Sequence, residues 1–322
     1  MAASLNAPDI GPLFPFAVAV MFLFGLVFGS FLNVCIYRMP RGLSVVRPRS
    51  ACPRCHAPIR GYDNIPVLSW LLLRGRCRDC KSKISPRYAV VELLIATLFA
   101  LCFWQWGVSL ATAKFCLLSF LLVGLIFTDL DCKLLPDALT LPGLGLGLVF
   151  SLLVPVQRLA SAWIPFTLWR HLPFSYAWRA QSLIDSAAGA ALGAFLVWSA
   201  GFLYFKLRGV EGMGLGDVKM MAMVGSFLGM ELTLLTIGTA AFAASLFGLA
   251  TMIIVWLRRA RRRMSRAGEA AGRALPRAWQ SAQLIYRFYE IPFGAFLGIT
   301  GVLVFFCGDR LIRWYMHLWM RP

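Results

Sequence analysis

The chain has 322 residues, of which 59% are hydrophobic and only 14% charged, and its formal net charge is +18. Soluble domains are nearer half apolar and a quarter charged, so this composition excludes an ordinary soluble protein and describes one that uses a bilayer as solvent. The positive charge gathers in blocks between apolar segments, the pattern of a multi-pass protein with cationic cytoplasmic loops, and this argues against a nucleic-acid surface.

The first apolar segment covers about residues 14–36. No Lys or Arg precedes Arg38, so the basic n-region of a signal peptide is missing. The charge bias places the N-terminus outside and Arg38 inside. A polar block, 37–87, sets twelve basic residues against Asp63 and Asp79 and suits a small cytoplasmic domain. Apolar segments follow at 88–106, 111–128 and 134–154. The connection 155–183 holds Trp163, Trp169, Tyr176 and Trp178, residues suited to an interface. Further segments run over 184–205, 218–230, 231–257 and 291–308, and nine arginines with the single acid Glu269 fill 258–287.

These elements predict an all-α polytopic membrane protein with about eight transmembrane helices and a small cytoplasmic zinc-binding domain between helices 1 and 2. The division is 1–36 for the first helix, 37–87 for the cysteine domain and 88–322 for the remaining bundle. Both basic blocks then face the cytoplasm and both chain ends lie outside. Segment 218–230 is short for a full span. The pairs Gly25/Gly29, Gly189/Gly193 and Gly294/Gly298 read as close helix-packing contacts rather than catalytic features.

Cys52-Pro-Arg-Cys55 and Cys77-Arg-Asp-Cys80 form two CxxC pairs with 21 residues between them. Four thiolates on two knuckles suit tetrahedral Zn²⁺. Disulfides and a redox pair are the alternatives, and a cytoplasmic placement argues against stable disulfides. Four cysteine ligands leave no open position, so this zinc is structural; His56 adjoins Cys55 but is not needed. Cys35, Cys102, Cys116, Cys132 and Cys307 read as small buried hydrophobes.

Asp217 closes the run Gly212-Met-Gly-Leu-Gly-Asp217 and opens into an apolar stretch. A carboxylate beside hydrocarbon is a functional candidate. Counting crossings places Asp129, at the end of segment three, on the same cytoplasmic side. Two aspartates brought together supply a general acid and a general base, between which water can be activated against a peptide carbonyl. Asp131 and Asp137 lie nearby, either as ordinary interfacial charges or as partners of Lys133 and Lys219. No His-Glu-x-x-His or Gly-x-Ser-x-Gly is present, and His171 and His317 fall on the predicted outer side. A proton-coupled transporter is the rival reading and would place its acids near the bilayer centre. A zinc-containing methyltransferase without proteolysis is a second rival.

The motifs resemble those of bacterial type IV prepilin peptidases, membrane aspartic proteases of the GxGD type. Gly29-Ser-Phe-Leu-Asn33 through Arg38 resembles the first-segment motif. Asn64-Ile-Pro66, Leu68-Ser-Trp70, Arg74-Gly-Arg-Cys77 and Val91-Glu92 match in and after the cysteine block, and Asp129-Leu-Asp131, Leu135-Pro-Asp137 and Gly212 to Lys219 match in the bundle. The resemblance implies removal of the basic leader from type IV prepilins or secretion pseudopilins at the cytoplasmic face of the inner membrane. It also implies N-methylation of the new N-terminal residue with S-adenosylmethionine. It makes Asp129 and Asp217 the catalytic pair, with Asp129 seven residues before Pro136, and associates the zinc block with methyl transfer. Anionic lipid is the expected partner of the arginine blocks. The connections 155–183 and 258–287 are longer than the family usually carries, and neither interrupts a motif.

Overall fold

A computed structural model describes residues 11–156, 174–209, 212–267, 270–286 and 292–319. Among these residues the regular structure is helical, apart from two isolated β-bridges in the cysteine block. The helices are α1 (Phe14–Arg38), α2 (Leu68–Leu72), α3 (Arg87–Trp106), α4 (Leu110–Cys132), α5 (Asp137–Ser151), α6 (Phe174–Arg208), α7 (Leu215–Ala267), α8 (Ala271–Tyr286) and α9 (Phe293–Trp319).

Six of these helices are long and apolar enough to cross a bilayer, and α5 is a shorter apolar helix. All eight apolar stretches are therefore helical, but two of them belong to one element. Segments 218–230 and 231–257 form the two limbs of α7, joined at Gly229, whose φ of 79° and ψ of −177° interrupt the helical backbone. Only glycine adopts that conformation without strain, so a 53-residue helix turns there. The limbs run in opposite directions along α9. Met220 meets Gly298 in the first limb, whereas Leu232 meets Gly308 and Thr236 meets Gly301 in the second. Phe247 then returns to the level of Phe296, with ring centroids 5.4 Å apart.

Small residues set the closest helix contacts, because dispersion at short range is what holds helices together in lipid. A Cβ on Gly25 would sit 2.6 Å from Ala96 Cα, and one on Gly29 would sit 2.7 Å from Glu92 Cα. One on Gly189 would sit 2.8 Å from Gly229 Cα. These pairs do what the four-residue spacing predicts. Gly298 also packs, against Ile126 and Met220, but Gly294 has a different neighbourhood, described below. Leu32, Ile95, Leu118, Leu122 and Leu297 are fully buried between the helices.

Three side-chain links tie α1 to α3 and fasten the cysteine block to that end of the bundle. Asn33 Nδ2 donates to the Tyr88 carbonyl at 3.0 Å, and Glu92 accepts the Val67 backbone N–H at 2.7 Å. Arg87 pairs with Asp131. Glu92 is buried, and the donor it takes lies at the start of α2, where backbone N–H groups lack helical partners. The basic α7–α8 hairpin also lies at this end. Trp256 Nε1 donates to the Leu275 carbonyl at 3.0 Å, and Arg259 donates to the Ser281 carbonyl at 3.3 Å. The connection 157–173, with Trp163, Trp169 and His171, lies outside the described residues.

Candidate active site and metal centre

The two cysteine knuckles are local copies of one turn. In the first, His56 N–H donates to the Cys52 carbonyl and Cys52 N–H to the Ala57 carbonyl, both at 2.9 Å. In the second, Lys81 N–H donates to the Cys77 carbonyl at 3.1 Å and Cys77 N–H to the Ser82 carbonyl at 2.9 Å. His56 and Lys81, the residue after each second cysteine, share a left-handed φ of 58° and 56°. Each pair of thiols is thereby turned toward the other.

Sulfur atoms of Cys52, Cys55, Cys77 and Cys80 all lie within 4.8 Å of one another. Sulfurs about 2.3 Å from a tetrahedral zinc ion would be about 3.8 Å apart, and Cys52 Sγ and Cys80 Sγ are separated by 3.8 Å. The backbone N–H groups of Cys55 and Arg54 pull the Cys52 thiol down to about 6. The Ser82 hydroxyl lowers Cys80 in the same direction. Thiolates are the form that binds metal. The donor set and spacing fit zinc, and His56 stays outside the cluster. Of the other cysteines, Cys35, Cys102 and Cys116 are buried as expected, but Cys132 is only partly buried and Cys307 is exposed on the bundle surface.

Asp129 and Asp217 come from different helices. Asp129 lies on the last turn of α4 and is buried. Its Oδ2 accepts the Ala295 backbone N–H at 2.7 Å, in the first turn of α9. Asp217 is the third residue of α7, and its own N–H closes a turn onto the Gly214 carbonyl at 3.1 Å. The glycines before it make room for the loop. Gly212 lies against the Tyr204 ring, and a Cβ on Gly216 would sit 3.0 Å from Leu135 Cβ.

The two carboxylates converge on Gly294. A Cβ built there would lie 3.0 Å from Asp129 Oδ2 and 3.0 Å from Asp217 Oδ1. A single point therefore stands at near hydrogen-bonding distance from an oxygen of each acid. Residues 88 positions apart are brought together, at the same end of the bundle as the cysteine block. The four-residue spacing predicts a packing role for Gly294, and the structure places it beside the acids instead. Its position at the cytoplasmic start of segment eight, by the same crossing count that paired the aspartates, was the available signal.

Asp131 and Asp137 have other engagements. Lys219 Nζ donates to both Asp137 oxygens at 2.8 Å, the pairing expected from sequence, whereas Asp131 holds Arg87 rather than Lys133. Both acids flank the converging pair with their charges partly answered.

A multi-pass helical membrane protein that gathers two aspartates at one end of its bundle, beside a four-cysteine centre, has the equipment of a membrane aspartic hydrolase. Comparisons with known proteins identify the group. Residues 23–106 match the bacterial peptidase A24 N-terminal domain, and residues 115–249 match the type IV leader peptidase family. A prepilin leader peptidase/N-methyltransferase of Neisseria gonorrhoeae is 32% identical over 96% of this chain and 98% of its own length. One of Aeromonas salmonicida is 33% identical over 92% and 93%. One of Myxococcus xanthus is 40% identical over 66% of this chain and 65% of its own. No solved structure matches the chain. The chain belongs to the type IV leader peptidase family and is an enzyme, and the transporter reading is unsupported.

Proposed function

We propose that this enzyme removes the basic leader from type IV prepilins or secretion pseudopilins, with Asp129 and Asp217 as the catalytic pair. The observation that supports this most directly is the meeting of the two carboxylates across Gly294. One carboxylate accepts a proton from water as the water oxygen attacks the scissile carbonyl carbon. The other donates a proton to the carbonyl oxygen, giving a neutral gem-diol. Proton transfer to the amide nitrogen then lets the C–N bond break, releasing the leader acid and the new N-terminal amine. No covalent intermediate forms.

Orientation follows from charge. The polar block 37–87 and the described part of the α7–α8 hairpin lie at the aspartate end, and the positive-inside bias of the sequence favours the cytoplasm for that end. A prepilin anchored by its apolar segment presents its cationic leader on that side. Anionic headgroups are the natural partner of the arginines nearest the bilayer.

The new amine is then methylated, with S-adenosylmethionine supplying the methyl group and the amine giving up a proton. Cys52, Cys55, Cys77 and Cys80 would hold zinc, which would fix the shape of the domain that the resemblance associates with this step; with four sulfur ligands it would take no part in hydrolysis.

Purified enzyme in detergent with a prepilin tests the proposal. Asp129→Asn and Asp217→Asn should each lower leader release by about 10²–10⁴-fold while methylation of pre-cleaved pilin continues. Leader release at the wild-type rate by both variants would remove the catalytic pair.

A further inference from the structure

The first turn of α9 touches the candidate catalytic pair in two ways, and neither is helix packing. Gly294 occupies the point between the carboxylates, and Ala295 sends its backbone N–H to Asp129 Oδ2 at 2.7 Å. The backbone of Gly214, in the loop before α7, is the donor nearest the Asp217 carboxylate, so the two acids are oriented from different elements. Gly298, one turn further along α9, has the Ile126 and Met220 side chains as its nearest neighbours. The contrast between two glycines on one helix face separates a packing role from a role at the acids.

We infer that Gly294 and the Ala295 N–H are positioning elements of the hydrolytic site: the missing side chain at 294 keeps open the space between the carboxylates, and the N–H fixes how Asp129 faces it. This rests on the reading of Asp129 and Asp217 as the catalytic pair. The physical argument is steric and directional. Two carboxylates that share one water must leave room for it and for the scissile carbonyl. Any Cβ at 294 would stand 3.0 Å from an oxygen of each acid and fill that room. Asp129 ends a helix turn and could rotate about its side-chain bonds. A short N–H contact from a rigid element removes that freedom, and well-oriented reacting groups are worth large factors in rate. The first N–H groups of a helix have no partner within it, so this donor is free to serve a neighbour without weakening α9.

Two substitutions separate this role from a structural one. Gly294→Ala adds one methyl between the acids. Ala295→Pro deletes the N–H while keeping glycine at 294, at a helix position where no intrahelical bond is lost. Cleavage of a prepilin and methylation of a separately supplied, pre-cleaved pilin are measured on the same purified enzyme in detergent. The expected result for Gly294→Ala is a fall in kcat of about a hundredfold, with KM for prepilin and the rate of methylation within about twofold of wild type. Should Gly294→Ala lose both activities together, the same selective fall in kcat is required of Ala295→Pro. Wild-type kcat in Gly294→Ala overturns the inference, as does parallel loss of both activities in both variants. Asp129→Asn and Asp217→Asn are assayed alongside. If they still cleave, the catalytic pair itself is wrong; if they fail to cleave while Gly294→Ala cleaves normally, only the positioning role falls.

Discussion

The cysteine centre and the aspartate pair are built on opposite plans. Each cysteine knuckle is a six-residue turn closed by its own backbone, and two copies need only a short linker to face each other. The aspartates belong to α4 and α7, and α9 supplies the surface on which they meet. A site of the first kind is robust to distant change because its geometry is local. A site of the second kind depends on every close contact that sets helix spacing. Damage to the bundle should therefore reach the acids and spare the thiols, and damage to a knuckle should do the reverse.

The largest expected effect breaks the metal centre directly. Cys77→Ser should lower zinc affinity by more than the roughly 10–100-fold that changes around the ligands cost, read as zinc content after dialysis. Methylation should fall with it while leader release persists. Equal loss of both activities would show that the two regions are not separable.

Next in size is a change at a backbone crossing. Gly225 and Gly189 meet where α6 passes the first limb of α7, with no room for a Cβ on either. Gly225→Leu should cost about 1–3 kcal/mol or more through overpacking, lower the thermal midpoint in detergent and slow cleavage, with zinc content unchanged. Zinc loss in this variant would contradict the independence of the two regions.

Glu92→Leu probes the joint between them. The buried carboxylate that accepts the Val67 N–H is removed, and the donor is left without its partner. A loss of about 1–3 kcal/mol should appear as faster proteolysis of the polar block, with the bundle intact.

The smallest effect is electrostatic. Arg78 hydrogen-bonds the Asp63 carboxylate from two nitrogens, which holds that carboxyl below its usual range. A lowered folded-state value stabilises above the unfolded pKa and is lost as pH falls through the folded value. The stability gap between wild type and Asp63→Asn should therefore stay constant from neutral pH to about pH 5. A gap that closes near pH 6 would assign the effect to another group.

Much of this was legible in sequence for a simple reason. A bilayer makes apolar runs into helices and makes their parity count, so Asp129 and Asp217 could be placed on one side without any contact being known. Cysteine spacing was equally direct, because a knuckle is a local turn. What stayed hidden depended on backbone geometry. The union of segments 218–230 and 231–257 rests on one glycine conformation at Gly229; Glu231 marks the division in sequence, but not the backbone angle that joins the limbs. The partner of Glu92 lies 25 residues away, at Val67, which has a left-handed φ of 59°. Asp131 found Arg87 across the domain joint rather than its sequence neighbour Lys133.

The second limb of α7 also sets how far the enzyme reaches. Its apolar run ends at Leu257 but the helix continues to Ala267, about 15 Å further at 1.5 Å per residue. That rod carries Arg258, Arg259, Arg261, Arg262 and Arg263 and is stiffened by α8 through the Trp256–Trp279 contact. Screening at physiological salt acts over about 8 Å. Arg258 and Arg259 stand within that range of the end of the apolar run, while the exposed Arg261 and Arg262 lie further along the rod, where a soluble or protruding partner could feel their charge.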